Sequence, residues 1–134
     1  MSKLSRLFLV TNNPANIRYS KRNNWLGQVG NHLGFCKFSD RIFGLRALML
    51  LLRNYINNGF VTPSQIVTRF APPTENDTKD YIRFVDDKLS HFEFSEIHFS
   101  SIEFHVLVQA ICQFETGYVP SIIELNYVYE RFFK

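Results

Sequence analysis

The chain is 134 residues long, 46% hydrophobic and 16% aromatic with 14 Phe, which excludes a disordered or collagen-like polymer and predicts one domain able to bury its own core. Its formal charge of +3 and sequence pI near 9.0 suit an anionic partner such as a cell-wall polymer, nucleic acid or a membrane surface, but make no polybasic tail. The longest apolar run, Ala47 to Leu52, is far short of the roughly 20 residues that a membrane-spanning helix needs, so no membrane span is expected.

The first ten residues mix basic and apolar types, but the apolar block is too short for a signal peptide and no small-residue cleavage site follows. The expectation is a protein made in the cytoplasm and delivered by other means. Asn12-Asn13-Pro14-Ala15-Asn16-Ile17-Arg18 reads as a turn presenting polar side chains, with Pro14 holding Asn13 extended. Trp25 to Gly30 and Phe35 to Phe38, separated by Gly and Asn, read as a small β-hairpin.

Ser39 or Asp40 then caps a long helix whose apolar residues cover more than one face, ending at Asn57-Asn58-Gly59. Thr62-Pro63 opens a short helix through Arg69, with proline at its first turn. After Ala71-Pro72-Pro73, residues 74 to 78 start a helix carrying Tyr81, Ile82, Phe84, Val85 and Leu89 on its apolar side. Residues 90 to 101 carry no readable periodicity. Ser100 with Glu103 reads as a capping box for a helix from Ser101 to Phe114, with Ile102, Phe104, Leu107, Val108, Ile111 and Cys112 as its core side. Ser121 caps a last amphipathic helix through Phe133. The expected fold is mainly α (α+β), about five helices with a small β-hairpin.

Chemistry-bearing candidates are few. Cys36 and Cys112 either bridge or remain buried thiols. His98 and His105 could share a helix face, but the four histidines lack metal-ligand spacing, and no phosphate-binding glycine loop is present. No cofactor or metal is expected. The suggestive residue is Glu115, at the last turn of an apolar helix just before Gly117. The negative end of the helix dipole disfavours a carboxylate there by roughly 0.3–1 kcal/mol. Apolar neighbours Phe114 and Tyr118 would add to the rise in pKa that a general acid requires. The plain alternative is a solvated Glu that ends a helix. Arg18, Lys21, Arg22, Arg41, Arg46 and Arg53 interleave with Tyr19 and Trp25, which fits either a nucleic-acid surface or a carbohydrate cleft in which aromatic rings stack on sugars.

Three stretches resemble a family of phage and prophage proteins marked by the motif N-N-P-G-N-I-R and regarded as virion structural proteins. They are N-N-P-A-N-I-R-Y…N-N-W-L-G-Q-V-G (12–30), F-C-K-F-S-D-R-I-F-G-L-R-A-L-M-L-L-L-R-N-Y (35–55) and R-F-A-P-P-T-E-N-D-T-K-D-Y-I (69–82). The closing family segment A-I-I-x-x-E-N-G is similar to Ala110 to Gly117. Flagellar-type glucosaminidases and other lysozyme-like hydrolases carry similar pieces, but with the Glu motif first rather than last. That order is what a circularly permuted lysozyme-like single domain, residues 1–134, would show, and it predicts that the N-terminus lies close to the helix after Glu115. Here Ala15 replaces the family glycine, Thr116 the usual Asn, and Phe114 the usual His.

The resemblance implies a peptidoglycan glycan-strand hydrolase of lysozyme, glucosaminidase or lytic transglycosylase type, with Glu115 as general acid on a β-1,4 glycosidic bond. Glu75 or Asp77 would be the second carboxylate, although Asp77 serves equally as a helix cap. Asn13, Asn16, Arg18, Trp25, Gln28 and Tyr81 would line the cleft and bind substrate; Arg18 could instead be a buried ion-pair partner. The implied partners are bacterial peptidoglycan and a phage particle or a secretion or inhibitor partner, with action at the cell wall or within a virion and no nucleic acid. The rival class is a non-enzymatic virion structural or wall-binding protein; a nucleic-acid-binding module is the third reading.

Overall fold

A computed structural model describes residues 3–72 and 77–134. These residues form a mostly helical α+β fold with one small antiparallel sheet, in the order α1 (Arg6–Thr11), β1 (Gln28–His32), β2 (Phe35–Phe38), α2 (Arg41–Asn57), α3 (Pro63–Phe70), α4 (Thr78–Leu89), α5 (Ile102–Thr116) and α6 (Ile122–Phe132). No helix among them is long and apolar enough to cross a membrane.

Short polar side chains set the helix starts. Asp40, Thr62, Asp77 and Ser121 each accept a hydrogen bond from a backbone N–H of the first turn, satisfying donors that the helix cannot. Thr62 and Gln65 close a reciprocal capping box ahead of Pro63. Two details depart from expectation. Ser101, not Ser100, caps α5, its hydroxyl accepting from the Phe104 N–H, and Ile102 is about half exposed rather than core. His98 precedes α5, so it shares no helix face with His105.

A sixth helix, α1, was not expected. Ser5 caps it and Asn12 ends it in the left-handed region, φ 53°, with its N–H on the Phe8 carbonyl. Six residues are too few to hold a helix by propensity. Tertiary contacts hold this one. The Ser5 N–H donates to the Thr116 carbonyl at 2.9 Å, and the Phe8 ring stacks on Tyr118 with centroids 5.1 Å apart. The N-terminal segment therefore packs on the turn that follows Glu115.

β1 and β2 are joined by Leu33-Gly34, both at positive φ (53° and 87°), the conformation of a two-residue hairpin turn whose twist matches the strands. The segment after α1 extends this sheet. Arg18 bridges Phe35, and the Cys36 N–H donates to the Ile17 carbonyl at 2.9 Å. The core is gathered mainly on α2 and α5, each burying more than one face, with Tyr81, Val85 and Leu89 of α4 and Leu125 and Val128 of α6 closing it. α5 packs on α4, α4 on α3, and α2 on α6. The unassigned stretch 90–101 lacks helix or strand, yet buries Ile97, whose N–H donates to the Val61 carbonyl. Cys36 and Cys112 are both buried and free.

Candidate active site

The N-P loop is built around Asn13. This side chain is fully buried, and its groups are taken up by backbone: Nδ2 donates to the Ile17 and Cys36 carbonyls at 2.9 Å each, and Oδ1 accepts from the Ile17 N–H at 3.0 Å. Asn13 is therefore a structural staple tying the loop to β2 rather than the cleft-lining residue that the resemblance implies. Ala15 is fully buried and stays out of the left-handed region; Asn16 adopts it instead, at φ 51°. The loop thus tolerates Ala15, because the residue after it makes the sharp turn, and Asn is among the non-glycine types that do so most readily.

That turn aims Asn16 at the end of α5. Its Nδ2 donates to the Glu115 carbonyl (3.1 Å) and to Glu115 Oε1 (3.3 Å). Helix α5 stops at Gly117, which takes φ 82° and returns its N–H to the Gln113 carbonyl. Thr116 fastens the two segments from the other side, its hydroxyl donating to the Pro14 carbonyl at 2.7 Å. Ninety-nine residues apart in sequence, Asn16 and Glu115 are neighbours because both ends of the N-P loop are fixed.

Glu115 lies on a cleft of about 390 Å³, also lined by Asn16, Arg18, Asn23, Trp25, Phe35, Leu51, Tyr55 and the Phe70-Ala71 pair. The size is ordinary for a small-ligand or sugar site. Burial raises the Glu115 carboxyl above the usual carboxylate range; Tyr81, the Asn16 amide and the positive charge of Arg18 pull partly against it. The Tyr81 hydroxyl makes no hydrogen bond of ordinary geometry with a described residue, but it sits near enough to Glu115 to act on its charge. In return, burial and that charge push the Tyr81 phenol well above its ordinary value. Tyr81 is fully buried and stacked on Phe114, with centroids 4.0 Å apart. It backs the acid from within the core and does not line the open cleft.

The other wall comes from the β element. Arg18 is placed by its bridge to Phe35 and lays its guanidinium over that ring, 5.1 Å from the centroid. Trp25 opens a turn closed by the Gln28 N–H on the Trp25 carbonyl at 3.0 Å. Gly27 in this turn has φ 78°, and a Cβ there would lie 2.2 Å from the Phe43 ring, so only glycine fits. Gln28 uses its Oε1 to accept from the Trp25 N–H and does not reach the cleft. It is a positioning residue.

Of the residues read from sequence, Asn16, Arg18, Trp25 and Glu115 converge on the cleft, whereas Asn13, Gln28 and Tyr81 support it. Asp77 does not line it: its carboxylate caps α4 by accepting from the Asp80 N–H, with the pair exposed. Glu75 lies outside the described residues. Asn23, Phe35, Leu51, Tyr55 and Phe70 also line the cleft and carry no signal in the sequence, since nothing local marks which face of a helix will edge a cleft.

Buried polar atoms without a partner gather here. Four are present among the described residues, and three of them, Asn16 Oδ1, Trp25 Nε1 and the Tyr81 hydroxyl, belong to this site. Native interiors rarely leave such atoms unsatisfied. The Asn16 amide is oriented by its bonds to Glu115, which leaves its buried oxygen an unpaired acceptor, while Trp25 Nε1 is a buried, unpaired donor.

These features define an α+β domain with a desolvated acid at the floor of an aromatic, amide-lined cleft. No family model matches the chain. Over 85 residues it is 36% identical to Protein P5 of Pseudoalteromonas phage PM2, an alignment covering 60% of this chain and 53% of that protein. The chain thus spans about half the length of this phage relative.

Proposed function

We propose that the domain cleaves β-1,4 glycosidic bonds in peptidoglycan glycan strands, with Glu115 as general acid. The observation that carries this reading is Glu115 itself, a carboxyl whose pKa burial raises, on a cleft also lined by Asn16 and Trp25, which hold a buried acceptor and a buried donor without partners. A 2-acetamido sugar offers the complement, a carbonyl for Trp25 Nε1 and an N–H for Asn16 Oδ1. Meeting both removes two buried unsatisfied groups at once. Phe35, Tyr55 and Trp25 supply flat apolar surface for sugar rings. The packing of the N-terminal segment against the turn after Glu115 supports the permuted lysozyme-like order.

Among the described residues Glu115 is the carboxylate that lines the cleft. The transglycosylase route is the one that this group can serve alone, as acid and then base. Glu115 gives its proton to the bridging oxygen as the bond to the anomeric carbon breaks. The resulting carboxylate then takes the proton of the sugar's own primary hydroxyl, whose oxygen closes onto that carbon. No water is consumed, and an anhydro end forms. Arg18 stabilises the carboxylate between the two steps.

A second reading, a non-enzymatic virion component, is favoured by the similarity to a phage protein. The two separate in one experiment. Purified peptidoglycan is digested with wild type and with Glu115→Gln, and the products are read by mass spectrometry. Anhydro-muropeptides from the wild type, absent with the variant, support the enzyme. A wild type that releases nothing leaves the virion component.

A further inference from the structure

The cleft does not end at Tyr55. The same ring edges a second depression of about 720 Å³ formed with Asn54, Asn58, Phe60 and Arg69. The two hollows share Tyr55, and Phe70 of the first follows Arg69 of the second in the chain. The floor is helix α2: from Leu51 in the Glu115 cleft to Asn58 in the outer hollow is two helical turns, about 10 Å along its axis. That is the length of a disaccharide.

The chemistry of the outer hollow is specific. Arg69 stands in the last turn of α3 with its guanidinium over the Tyr55 ring, 5.6 Å from the centroid. It makes no ion pair with a described residue, and no acidic side chain among them lines the hollow. Its planar fork of donors is preoriented by the ring and suits a carboxylate. Asn54 and Asn58, one helical turn apart, complete the rim, with Asn58 Nδ2 donating to the Asn54 carbonyl at 2.7 Å.

We propose that this hollow is a carboxylate-recognising subsite, in which Arg69 selects glycan strands bearing acidic substituents and discriminates against uncharged chitin-type strands. The proposal rests on the glycan reading of the Glu115 cleft and adds a specificity determinant outside it. In a strand alternating plain and lactyl-substituted amino sugars, acidic groups recur every disaccharide, the spacing between the two hollows. Arg69 touches neither Glu115 nor the Asn16 loop, so its removal leaves the acid in place.

The test compares wild type, Arg69→Gln and Arg69→Lys on three tetrasaccharides: chitotetraose, a lactyl-substituted strand with free carboxylates, and the same strand carrying stem peptides. Cleavage gives kcat/KM, and binding to the same proteins in the Glu115→Gln background gives Kd. The wild type should prefer the acidic strands roughly tenfold, the size of one charge-assisted hydrogen bond. Arg69→Gln should lose that preference through KM while chitotetraose turnover is unchanged, and Arg69→Lys should keep part of it. A preference shown only by the peptide-bearing strand assigns the carboxylate to the stem; one shown by both assigns it to the lactyl group. Equal handling of charged and uncharged strands by the wild type, or an unaltered preference in Arg69→Gln, overturns the subsite while leaving Glu115 as the acid. Failure of the wild type to bind or cleave any of the three overturns the subsite and the glycan reading together.

Discussion

Replacing Asn13 by alanine should unfold the protein more readily without removing any group that meets ligand. Three hydrogen bonds vanish, two from Nδ2 to the Ile17 and Cys36 carbonyls and one from the Ile17 N–H to Oδ1. At about 0.5–1.5 kcal/mol net for each, with no solvent path to the buried site, the loss is about 3 kcal/mol. For a chain of this size that lowers the melting temperature by roughly 10 °C. Asn13→Asp sharpens the test. It keeps the acceptor but points a carboxylate at two carbonyl oxygens in the core, so its folded pKa must rise above the unfolded value of about 3.9. A raised folded pKa gives stability that is fully present below the unfolded value and lost as pH rises through the folded one. Asn13→Asp should therefore be less stable than Asn13→Ala at pH 7 and approach it at pH 4. Urea denaturation, followed by fluorescence of the single tryptophan and by circular dichroism, measures both. An Asn13→Ala stability within about 0.5 kcal/mol of wild type, the range of surface changes, would refute the staple and return Asn13 to the binding surface.

Glu115→Gln should cost roughly a hundredfold or more in glycan cleavage, the usual share of a general acid. Because burial raises the Glu115 pKa, wild-type activity should fall on the alkaline side as the acid ionises. The same shift means that Glu115 costs stability once ionised, so melting curves at pH 4 and pH 8 should show the variant gaining on wild type as pH rises; a constant difference contradicts this. Gly44→Ala places a Cβ 2.6 Å from Pro14 Cδ and 2.7 Å from the Asn12 carbonyl. It should cost about 1–3 kcal/mol by overpacking and weaken cleavage by displacing the Asn16 loop, both read on the purified variant. Leu33→Asn should stabilise the hairpin by about 0.5–1 kcal/mol in urea denaturation, since Leu33 is 79% exposed and held at φ 53°, which asparagine adopts more readily.

Much of this architecture follows from local chemistry and is legible in order along the chain. Thr62-Pro63, Asp77 and Ser121 start helices because each offers an oxygen to orphan N–H groups, and Gly117 stops α5 because it adopts a left-handed turn cheaply. The hairpin follows from its short apolar runs around Leu33-Gly34, and Glu115 stands out as a carboxylate where a helix dipole disfavours one. What local chemistry could not decide is where polar side chains face. Asn13 and Asn16 are the same residue type three positions apart, yet one is buried against Ile17 and Cys36 while the other reaches Glu115. Helix α1 exists only because Thr116 and Tyr118 meet it. Tyr55 and Arg69 belong to different helices and become one groove wall only when α2 and α3 are placed side by side. Sequence determines elements through contacts within about four residues, whereas a cleft is made of residues that share no local contact, so only the packed chain decides it.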